Sequence, residues 1–460
     1  MKLSHYNHFV PALIEGQTLA YNSLSGAFLV LSDEQLYEVE RLFEAAEMAA
    51  IDTTALTETQ QHLLDAGFVI ADELDERSVI HHRYYDGRDH VEGLSLTVTP
   101  TVNCNFGCGY CFQSHSNRKM TAEDIENLKQ FAAERLKPDT HLSITWFGGE
   151  PLTAFDVIEQ LGPYFYELAV SRRCGFSHAM ITNGYLLTAE KAQFIGSIPN
   201  FSYAQITLDG APSDHDKRRM TLGNQGTFER ILRNIKAAVP YIPISIRVNV
   251  DRRNIEGLPL LLQRLKAEGL AQHVGVYLAH VWEYTAEVEE SDFLTKEEFA
   301  TVQSQFQFMK FRMGFTTNRQ LPTPKRGNQC VADHPNGYVA SPNGLLFNCW
   351  NEVHLPANEA SGRYDGLEEI IYLDVINDNN QRWATYDPFV HDPCQTCKVA
   401  PLCMSGCPWE SRKNPTFDTG YCTPLRFNLP DHLRLFHLQA TVQRSLSMAE
   451  AKAEVEPCNV

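Results

Sequence analysis

Six apolar segments that alternate with helix-like segments occupy the middle of this 460-residue chain and constrain its fold most strongly. The strand candidates run from LSLTVTPT, which begins at residue 94, to HVGVYLAHV, which begins at residue 273. Buried-looking strands that alternate with helices predict a parallel sheet, either an open doubly wound sheet or an incomplete (β/α) barrel. Ligands of such sheets bind at the carboxyl ends of the strands. The intervening helices are predicted at about residues 121–136, 153–172, 187–197, 226–238 and 255–268.

The regions on either side of residues 93–314 follow other patterns. Residues 1–85 read as strand–strand–helix–helix–strand, with a capping box from Ser32 to Gln35 at the start of the first helix. This order predicts a winged-helix-like module, and the polar stretch DELDERSVIHHRYYDGRDH is interpreted as a linker after it. Residues 315–425 are rich in Pro, Gly, Asn and Cys, and residues 426–460 contain a terminal helix.

Composition limits the function classes. A net charge of −18, without a long run of Lys and Arg, argues against a nucleic-acid partner. The amino-terminal stretch MKLSHYNHFVPALIEG is unlike a signal peptide, and no window approaches 18 consecutive apolar residues, so we expect no membrane segment and a cytoplasmic location. Because thiols stay reduced in the cytoplasm, twelve cysteines indicate metal binding or catalysis ahead of disulfides.

Three of these cysteines, Cys104, Cys108 and Cys111, directly follow the first predicted strand in the stretch TVNCNFGCGYC. Disulfides do not account for an odd number of thiols, and a zinc site normally recruits a fourth Cys or His close by. The spacing C-x3-C-x2-C is instead typical of a [4Fe–4S] cluster with one iron that has no protein ligand. A zinc loop and three core thiols are the alternatives.

The triplet resembles the cluster motif of the radical S-adenosylmethionine (radical SAM) superfamily. The resemblance implies a partial (β/α)6 barrel, in which the open iron binds SAM and an electron from the cluster cleaves it to a 5′-deoxyadenosyl radical. It also implies that Tyr110 lies near the adenine. Gly148, Gly149 and Glu150, after the second strand, resemble the GGE motif that holds the amino group of SAM. Physically, the glycines allow close backbone approach, and Glu150 offers a carboxylate to an ammonium.

Later strand ends resemble further segments that line the SAM pocket. The segments are MITNG, QITLDG and IRVNV, at the ends of the third, fourth and fifth strands. The resemblance implies pocket roles for Thr182, Asn183, Asp209, Arg247 and Asn249, and suggests Arg247 as a partner of the SAM carboxylate. Gln205 is a weaker candidate.

Seven cysteines in the carboxy-terminal region resemble the SPASM domain of radical SAM enzymes that act on peptides and proteins. The resemblance implies two auxiliary [4Fe–4S] clusters, and so three clusters in all. A zinc site of Cys394, Cys397, Cys403 and Cys407 is the alternative. Another Cys expected shortly before Cys330 is missing, which leaves the second cluster with an open iron, a non-cysteine ligand or a smaller core. Cys174 and Cys458 fit no cluster. One auxiliary cluster is assigned to Cys394, Cys397, Cys403 and Cys422, and the other to Cys330, Cys349 and Cys407.

The resemblance favours a maturase that cross-links a ribosomally made precursor peptide, through a C–C, C–O or thioether bond. The alternative is an anaerobic sulfatase-maturating enzyme, which forms formylglycine and uses an Asp base after the cysteine equivalent to Cys349. Here that residue is Trp350, and an indole does not accept a proton. The amino-terminal module resembles elements that bind a leader peptide as an added strand, and a structural cap on the barrel is the alternative. A reductase or flavodoxin-type protein is the expected electron donor. An iron–sulfur electron-transfer or scaffold protein is the alternative of another class.

Overall fold

A computed structural model places the six predicted strands in one sheet, and the predicted fold class is confirmed. The chain has mixed α/β architecture with a central parallel sheet that forms a partial barrel. Cys458 lies outside the described residues. The structure describes residues 1–48, 56–281, 292–316, 321–327, 330–365, 383, 385–390, 392–404, 406–413 and 422–455.

The strands of the central sheet alternate apolar and polar residues, so its two faces differ in polarity. Leu94 and Leu96 are buried on the outer face against the helices, whereas Thr97 lies on the inner face beside Thr145 of the next strand. The inner face is polar because it surrounds a cavity rather than a second apolar layer. The six parallel strands are β6 Leu94–Val98, β7 His141–Trp146, β8 Gly175–Thr182, β9 Phe201–Thr207, β10 Ile244–Val250 and β11 Val274–His280.

Five of the connecting helices begin close to the predicted positions, and two others, Pro212–Arg218 and Lys296–Met313, were not predicted. Thr121 caps the first of them through a reciprocal capping box with Asp124. A 3-10 turn, Pro151–Ala154, precedes the second helix, and the last helix, which the sequence pattern missed, ends at the left-handed Gly314. These helices are α4 Ala122–Arg135, α5 Phe155–Ser171, α6 Ala189–Ser197, α7 Pro212–Arg218, α8 Phe228–Ala238, α9 Leu258–Ala267 and α10 Lys296–Met313.

Three strands of the carboxy-terminal region extend the same sheet. The strand β12, Gly337–Ser341, pairs in parallel with β6, and Val339 lies opposite Thr97. The strands β13, Leu345–Phe347, and β14, Gly362–Arg363, follow in antiparallel order. The sheet therefore continues across the boundary predicted at residue 315. Among the described residues it has nine strands, from β11 at one edge to β14 at the other.

The amino-terminal region contains the predicted strands and helices and two strands that the sequence pattern missed. A reciprocal capping box between Ser32 and Gln35 begins its first helix, as predicted. The missed strands, β1 and β2, build a two-stranded and a three-stranded antiparallel sheet. The elements are β1 Lys2–Leu3, β2 Asn7–Pro11, β3 Gln17–Asn22, β4 Phe28–Ser32, α1 Asp33–Glu47, α2 Glu58–Asp65 and β5 Val69–Ile70.

The predicted linker is wrong, because most of this polar stretch forms the helix α3, Glu76–Asp89. One side of α3 is buried, and Tyr84 on that side has no exposed surface. Its ring lies 5.4 Å from that of Phe389, and its hydroxyl donates to Asp333 Oδ2 at 2.6 Å. The helix thus docks the amino-terminal region onto the cysteine-rich region.

Beyond the three strands β12 to β14, the described part of the carboxy-terminal region forms short helices and one long helix. The long helix begins at Leu425, earlier than predicted, and packs Leu429 and Leu433 against Leu19 and Tyr21 of β3. Among the described helices, none combines the length and hydropathy needed to cross a membrane. The helices are α11 Asp392–Gln395, α12 Ala400–Cys403, α13 Pro408–Lys413 and α14 Leu425–Val455.

Candidate active site

A pocket of 300 Å³ lies at the carboxyl ends of the six parallel strands, where the fold predicts a ligand site. The loop after β6 supplies three cysteines to its wall, and the ends of β7 to β11 supply most of the remaining side chains. The structure thus brings most of the predicted site residues into one cavity. Its lining includes Cys104, Cys108, Tyr110, Cys111, Gly148, Gly149, Thr182, Asn183, Gln205, Arg247, Asn249 and Trp350.

The three thiols of this loop have different surroundings. Burial raises the pKa of Cys104 to about 12, and Glu150 adds to the effect. Burial also raises the pKa of Cys108, although Arg219 opposes the shift. At Cys111 burial raises the pKa, but the hydrogen bond with His115, at 3.5 Å, and a backbone N–H outweigh it, so the pKa is lowered. Two of the three groups are therefore protonated thiols at neutral pH unless a cation binds them.

Gly148 and Gly149 allow the end of β7 to pack on the backbone that precedes Cys104. Gly148 has a φ of +130°, and a Cβ there would lie 2.3 Å from the carbonyl oxygen of Thr101. A Cβ on Gly149 would lie 2.3 Å from the carbonyl oxygen of Asn103. The close approach predicted for these glycines is therefore made to the cysteine loop of the chain itself.

Glu150 lies behind the pocket wall and is fully buried. Its carboxylate accepts hydrogen bonds from Thr182 Oγ1 at 2.6 Å and from the backbone N–H of Asn183 at 2.7 Å. Burial raises its pKa, and these hydrogen bonds oppose the shift. Glu150 therefore joins the ends of β7 and β8, and its predicted contact with an ammonium group stays a prediction.

Tyr110 is the centre of a buried hydrogen-bond network. Its hydroxyl donates to Asp209 and accepts from Arg219 Nη1 at 2.6 Å and Asn249 Nδ2 at 3.1 Å. Asp209 also accepts from the backbone N–H of Asn249 at 2.9 Å and is fully buried. Asp209 does not line the pocket, and its hydrogen bonds hold Tyr110 and the end of β10 in place.

Arg247 and Gln205 lie on the inner face of the barrel. Arg247 Nε donates to Asn249 Oδ1 at 2.8 Å. The hydroxyl of Tyr277 donates to Gln205, whose side chain lies on the pocket wall. These polar groups point into the cavity from neighbouring strands and can orient a zwitterionic ligand.

Sequence reasoning missed Arg219 as a site residue, although the basic triplet Lys217–Arg219 is visible in the sequence. Arg219 is 8% exposed and lines the pocket, and its Nε has no hydrogen-bond partner among the residues that the structure describes. His115, which contacts Cys111, was missed because no spacing rule links it to the triplet. Arg219 places a positive charge beside the cysteine loop.

The donor set fits an iron–sulfur cluster. Three thiols share one wall, and thiolates are the ligands that such clusters prefer. Within the described part of the chain, Arg219 Nε and Asn105 Nδ2 are buried donors without a partner, and Arg219 lines the pocket, where it suits an anionic group. Within the described residues, no three His, Cys, Asp or Glu side chains are grouped as ligands of a single metal ion.

The carboxy-terminal cysteines form two groups. A second, small cavity is lined by Cys394, Cys397, Cys403 and Cys422. Cys407 is absent from that lining and lies instead within electrostatic range of Cys330 and Cys349, which pack in one cluster. Burial raises the pKa of Cys407 to about 12. The grouping of the residues is thus the one assigned above from the SPASM resemblance, with Cys422 rather than Cys407 in the first group.

Residues 98–265 match the family model described as the radical SAM superfamily. The chain therefore carries a radical SAM domain, as the cysteine triplet predicted, and the family implies a [4Fe–4S] cluster and SAM.

Relatives and solved structures agree with this assignment. A cysteine-type anaerobic sulfatase-maturating enzyme of Clostridium novyi is 24% identical over 351 residues, covering 72% of this chain and 91% of the relative. Native anSMEcpe with bound AdoMet and Cp18Cys peptide superposes with a TM-score of 0.56 at 18% identity, covering 78% of this chain and 99% of that one. Streptococcus suis SuiB bound to the precursor peptide SuiA superposes with a TM-score of 0.53 at 13% identity, covering 92% of this chain and 99% of that one.

Proposed function

We propose that the chain is a radical SAM peptide maturase, which abstracts hydrogen from a ribosomally made precursor peptide and installs a C–C, C–O or thioether cross-link. The observation that carries the proposal is the pocket in which the three cysteines meet Tyr110, Arg247 and Asn249. When bound there, a [4Fe–4S] cluster and SAM supply a 5′-deoxyadenosyl radical.

The side chains of the pocket hold and orient this chemistry. Cys104, Cys108 and Cys111 would ligate the cluster, and Tyr110 would lie against the adenine. Gly148, Gly149 and Glu150 would fix the loop against the end of β8, and Arg247 and Asn249 would meet the SAM carboxylate. Phe147 and Trp350 stack with their centroids 5.1 Å apart and exclude water from one side of the pocket.

The carboxy-terminal cysteines would hold two auxiliary [4Fe–4S] clusters in a SPASM domain. Cys394, Cys397, Cys403 and Cys422 would supply four ligands to one, and Cys330, Cys349 and Cys407 three ligands to the other. A cross-link formed by radical addition requires the loss of one further electron and one proton. The site with three cysteine ligands would lie next to the pocket, because Trp350 follows Cys349 and lines the pocket wall.

A formylglycine-forming activity is the second candidate, because the Clostridium novyi relative aligns over most of its length with this chain. Trp350 argues against it. Its Nε1 donates to Thr97 Oγ1 at 2.8 Å, so an indole fills the position where that reaction needs a carboxylate base. Among the described residues that line the pocket, none is an Asp or Glu.

The amino-terminal sheet supports a peptide partner. Its outer strand β4 pairs with β3 on one side, and Val30 on β4 is 38% exposed. An extended leader peptide would add to such an edge as a further strand. SuiB has been crystallised with its precursor peptide, and anSMEcpe with a peptide. We propose a flavodoxin-type electron donor and a cytoplasmic, reducing location.

Mass spectrometry of candidate peptides tests the proposal. The holoenzyme is incubated anaerobically with SAM, a reductant and short peptides encoded next to its gene. Maturation predicts a peptide that has lost two hydrogens and contains a new cross-link. A product with an aldehyde that reacts with hydrazides would instead establish formylglycine formation. SAM cleavage without change in any protein or peptide would contradict both, and no SAM cleavage would favour an electron-transfer or scaffold protein.

A further inference from the structure

Another cavity, of 1250 Å³ and distinct from the small one lined by cysteines, lies below the active-site pocket. It is bounded by β9, β10, β11 and the helices α10 and α14. We call it the lower cleft. Gln205 lines both the lower cleft and the pocket that contains the three cysteines. Tyr277, which donates to Gln205, also lines the lower cleft. The two cavities are therefore neighbours along the inner face of the barrel. The lower cleft exceeds the roughly 300–1,000 Å³ of ordinary small-molecule sites, which favours a polymer as its occupant.

The charges around the lower cleft are the reverse of those of the whole chain. The chain has 57 acidic and 39 basic residues, yet none of the described residues that line the lower cleft is an Asp or Glu. Lys310 and Lys325 contribute positive charge to it, as does Arg326, which also pairs with Asp86 at 3.5 Å. Such a cleft attracts anionic ligands into an otherwise acidic protein.

The two lysines differ in their surroundings, because the charge of Lys325 also acts on the thiol of Cys403, whereas Lys310 lies on the helix α10 and contacts β11. Lys310 is 5% exposed, and its Nζ donates to the carbonyl oxygen of Val276 at 2.6 Å and to Gln307 Oε1 at 3.3 Å. Neither Lys310 nor Lys325 has an ion-pair partner among the described residues. A buried ammonium without a carboxylate is costly, and burial lowers the pKa of Lys310 to about 8. An anionic ligand would remove this penalty.

The lower cleft also reaches the amino-terminal region. Pro324, Lys325 and Arg326 line a neighbouring cavity. Its other wall carries both signs of charge and includes Arg83, Glu73 and Asp75. A peptide whose leader is bound by the amino-terminal module would therefore pass residues 324–326 and the lower cleft before it reaches Gln205 and the cysteines.

We propose that the lower cleft binds an acidic segment of the peptide substrate, with Lys310 and Lys325 contacting its Glu or Asp side chains. This inference rests on the proposed function, since it takes the substrate to be a peptide. It adds the substrate class: a precursor with carboxylates between its leader and the residue that is modified.

Peptide binding to the reconstituted holoenzyme tests the inference. The probes are a fluorescein-labelled peptide of alternating Gly and Glu, the same peptide with Gln for Glu, and free glutamate as a competitor. The variants are Lys310→Met and Lys325→Gln, with Lys129→Gln on the outer helix α4 as the control. Thermal unfolding checks each fold, and Lys325→Gln, at a less buried position, serves as the test if Lys310→Met does not fold.

We expect fluorescence polarisation to show binding of the Glu peptide about tenfold tighter than that of the Gln peptide. Each cleft variant should weaken it by about threefold to tenfold, in the range of a partly buried charge contact. Lys129→Gln should leave it unchanged. The inference would be overturned if the two peptides bound equally, or if Lys129→Gln weakened binding as much as the cleft variants. It would also be overturned if free glutamate competed as strongly as the unlabelled Glu peptide. SAM cleavage without peptide is measured separately, so that a failed binding test and a failed proposed function are distinguishable.

Discussion

Gly149→Ala should disable the active site, whereas Gly107→Ala, inside the cysteine motif itself, should not. Neither glycine has a positive φ, so the two substitutions differ only in the space around the new methyl group. At Gly149 the Cβ would lie 2.3 Å from the carbonyl oxygen of Asn103 and 2.7 Å from that of Val102. At Gly107 the nearest atom is the flexible end of Leu222, at 3.7 Å.

The magnitude follows from the displacement. Ordinary contact begins near 3.4 Å, so the backbone before Cys104 must move by roughly 1 Å to accept the methyl group. A 1 Å misplacement of reacting groups costs roughly 100-fold in rate. We therefore expect SAM cleavage by Gly149→Ala to fall by about 100-fold, and that by Gly107→Ala to stay within about twofold of the wild-type rate.

The assay measures 5′-deoxyadenosine released by anaerobically reconstituted protein with SAM and dithionite, normalised to the iron content of each variant. Circular dichroism and thermal unfolding establish that both variants are folded. The reasoning is refuted if Gly149→Ala cleaves SAM within about threefold of wild type, or if Gly107→Ala is as impaired as Gly149→Ala.

Three further predictions concern the auxiliary clusters and the contact between α3 and the carboxy-terminal region. Cys349→Ala should still cleave SAM but yield little modified peptide, and full-rate product formation by a variant shown to lack that cluster would contradict the assigned role. Iron analysis should approach about twelve irons per chain, and about four irons with stoichiometric zinc would contradict the SPASM assignment. Tyr84→Phe should destabilise the protein by about 1.5–3 kcal/mol at pH 7.5 and by about 0.5–1.5 kcal/mol at pH 5, measured by urea unfolding. Burial raises the pKa of Asp333 to about 6, although the Tyr84 hydrogen bond opposes the shift. The bond lost in Tyr84→Phe is therefore made to a charged carboxylate only above about pH 6. An equal loss of stability at both pH values would contradict this prediction.

The local elements were predictable because their signals lie close together in the sequence. Strands such as Ile244–Val250 alternate apolar and polar residues, and the capping box at Ser32 marks a helix start within four residues. The domain organisation was less predictable, because it depends on contacts between distant segments. The docking of α3 depends on buried residues such as Tyr84 in a polar stretch, and the pairing of Val339 with Thr97 joins strands far apart in the sequence.

The site was also only partly predictable from the sequence. The spacing of Cys104, Cys108 and Cys111 and their position after a strand were enough to predict that they lie together on one pocket wall. The inward position of Arg219 depends on its bond to Tyr110, which no spacing rule reveals. The burial of Glu150 behind the wall likewise depends on the end of β8.

Reductive cleavage of SAM tests the central claim most directly. Reconstituted wild-type protein, reduced anaerobically, should convert SAM to 5′-deoxyadenosine. The variant in which Cys104, Cys108 and Cys111 are all replaced by Ala should form none, while it keeps the iron of the carboxy-terminal region, about eight atoms per chain. Wild-type protein that binds its iron but forms no 5′-deoxyadenosine, or a triple variant that forms it at the wild-type rate, would contradict the account.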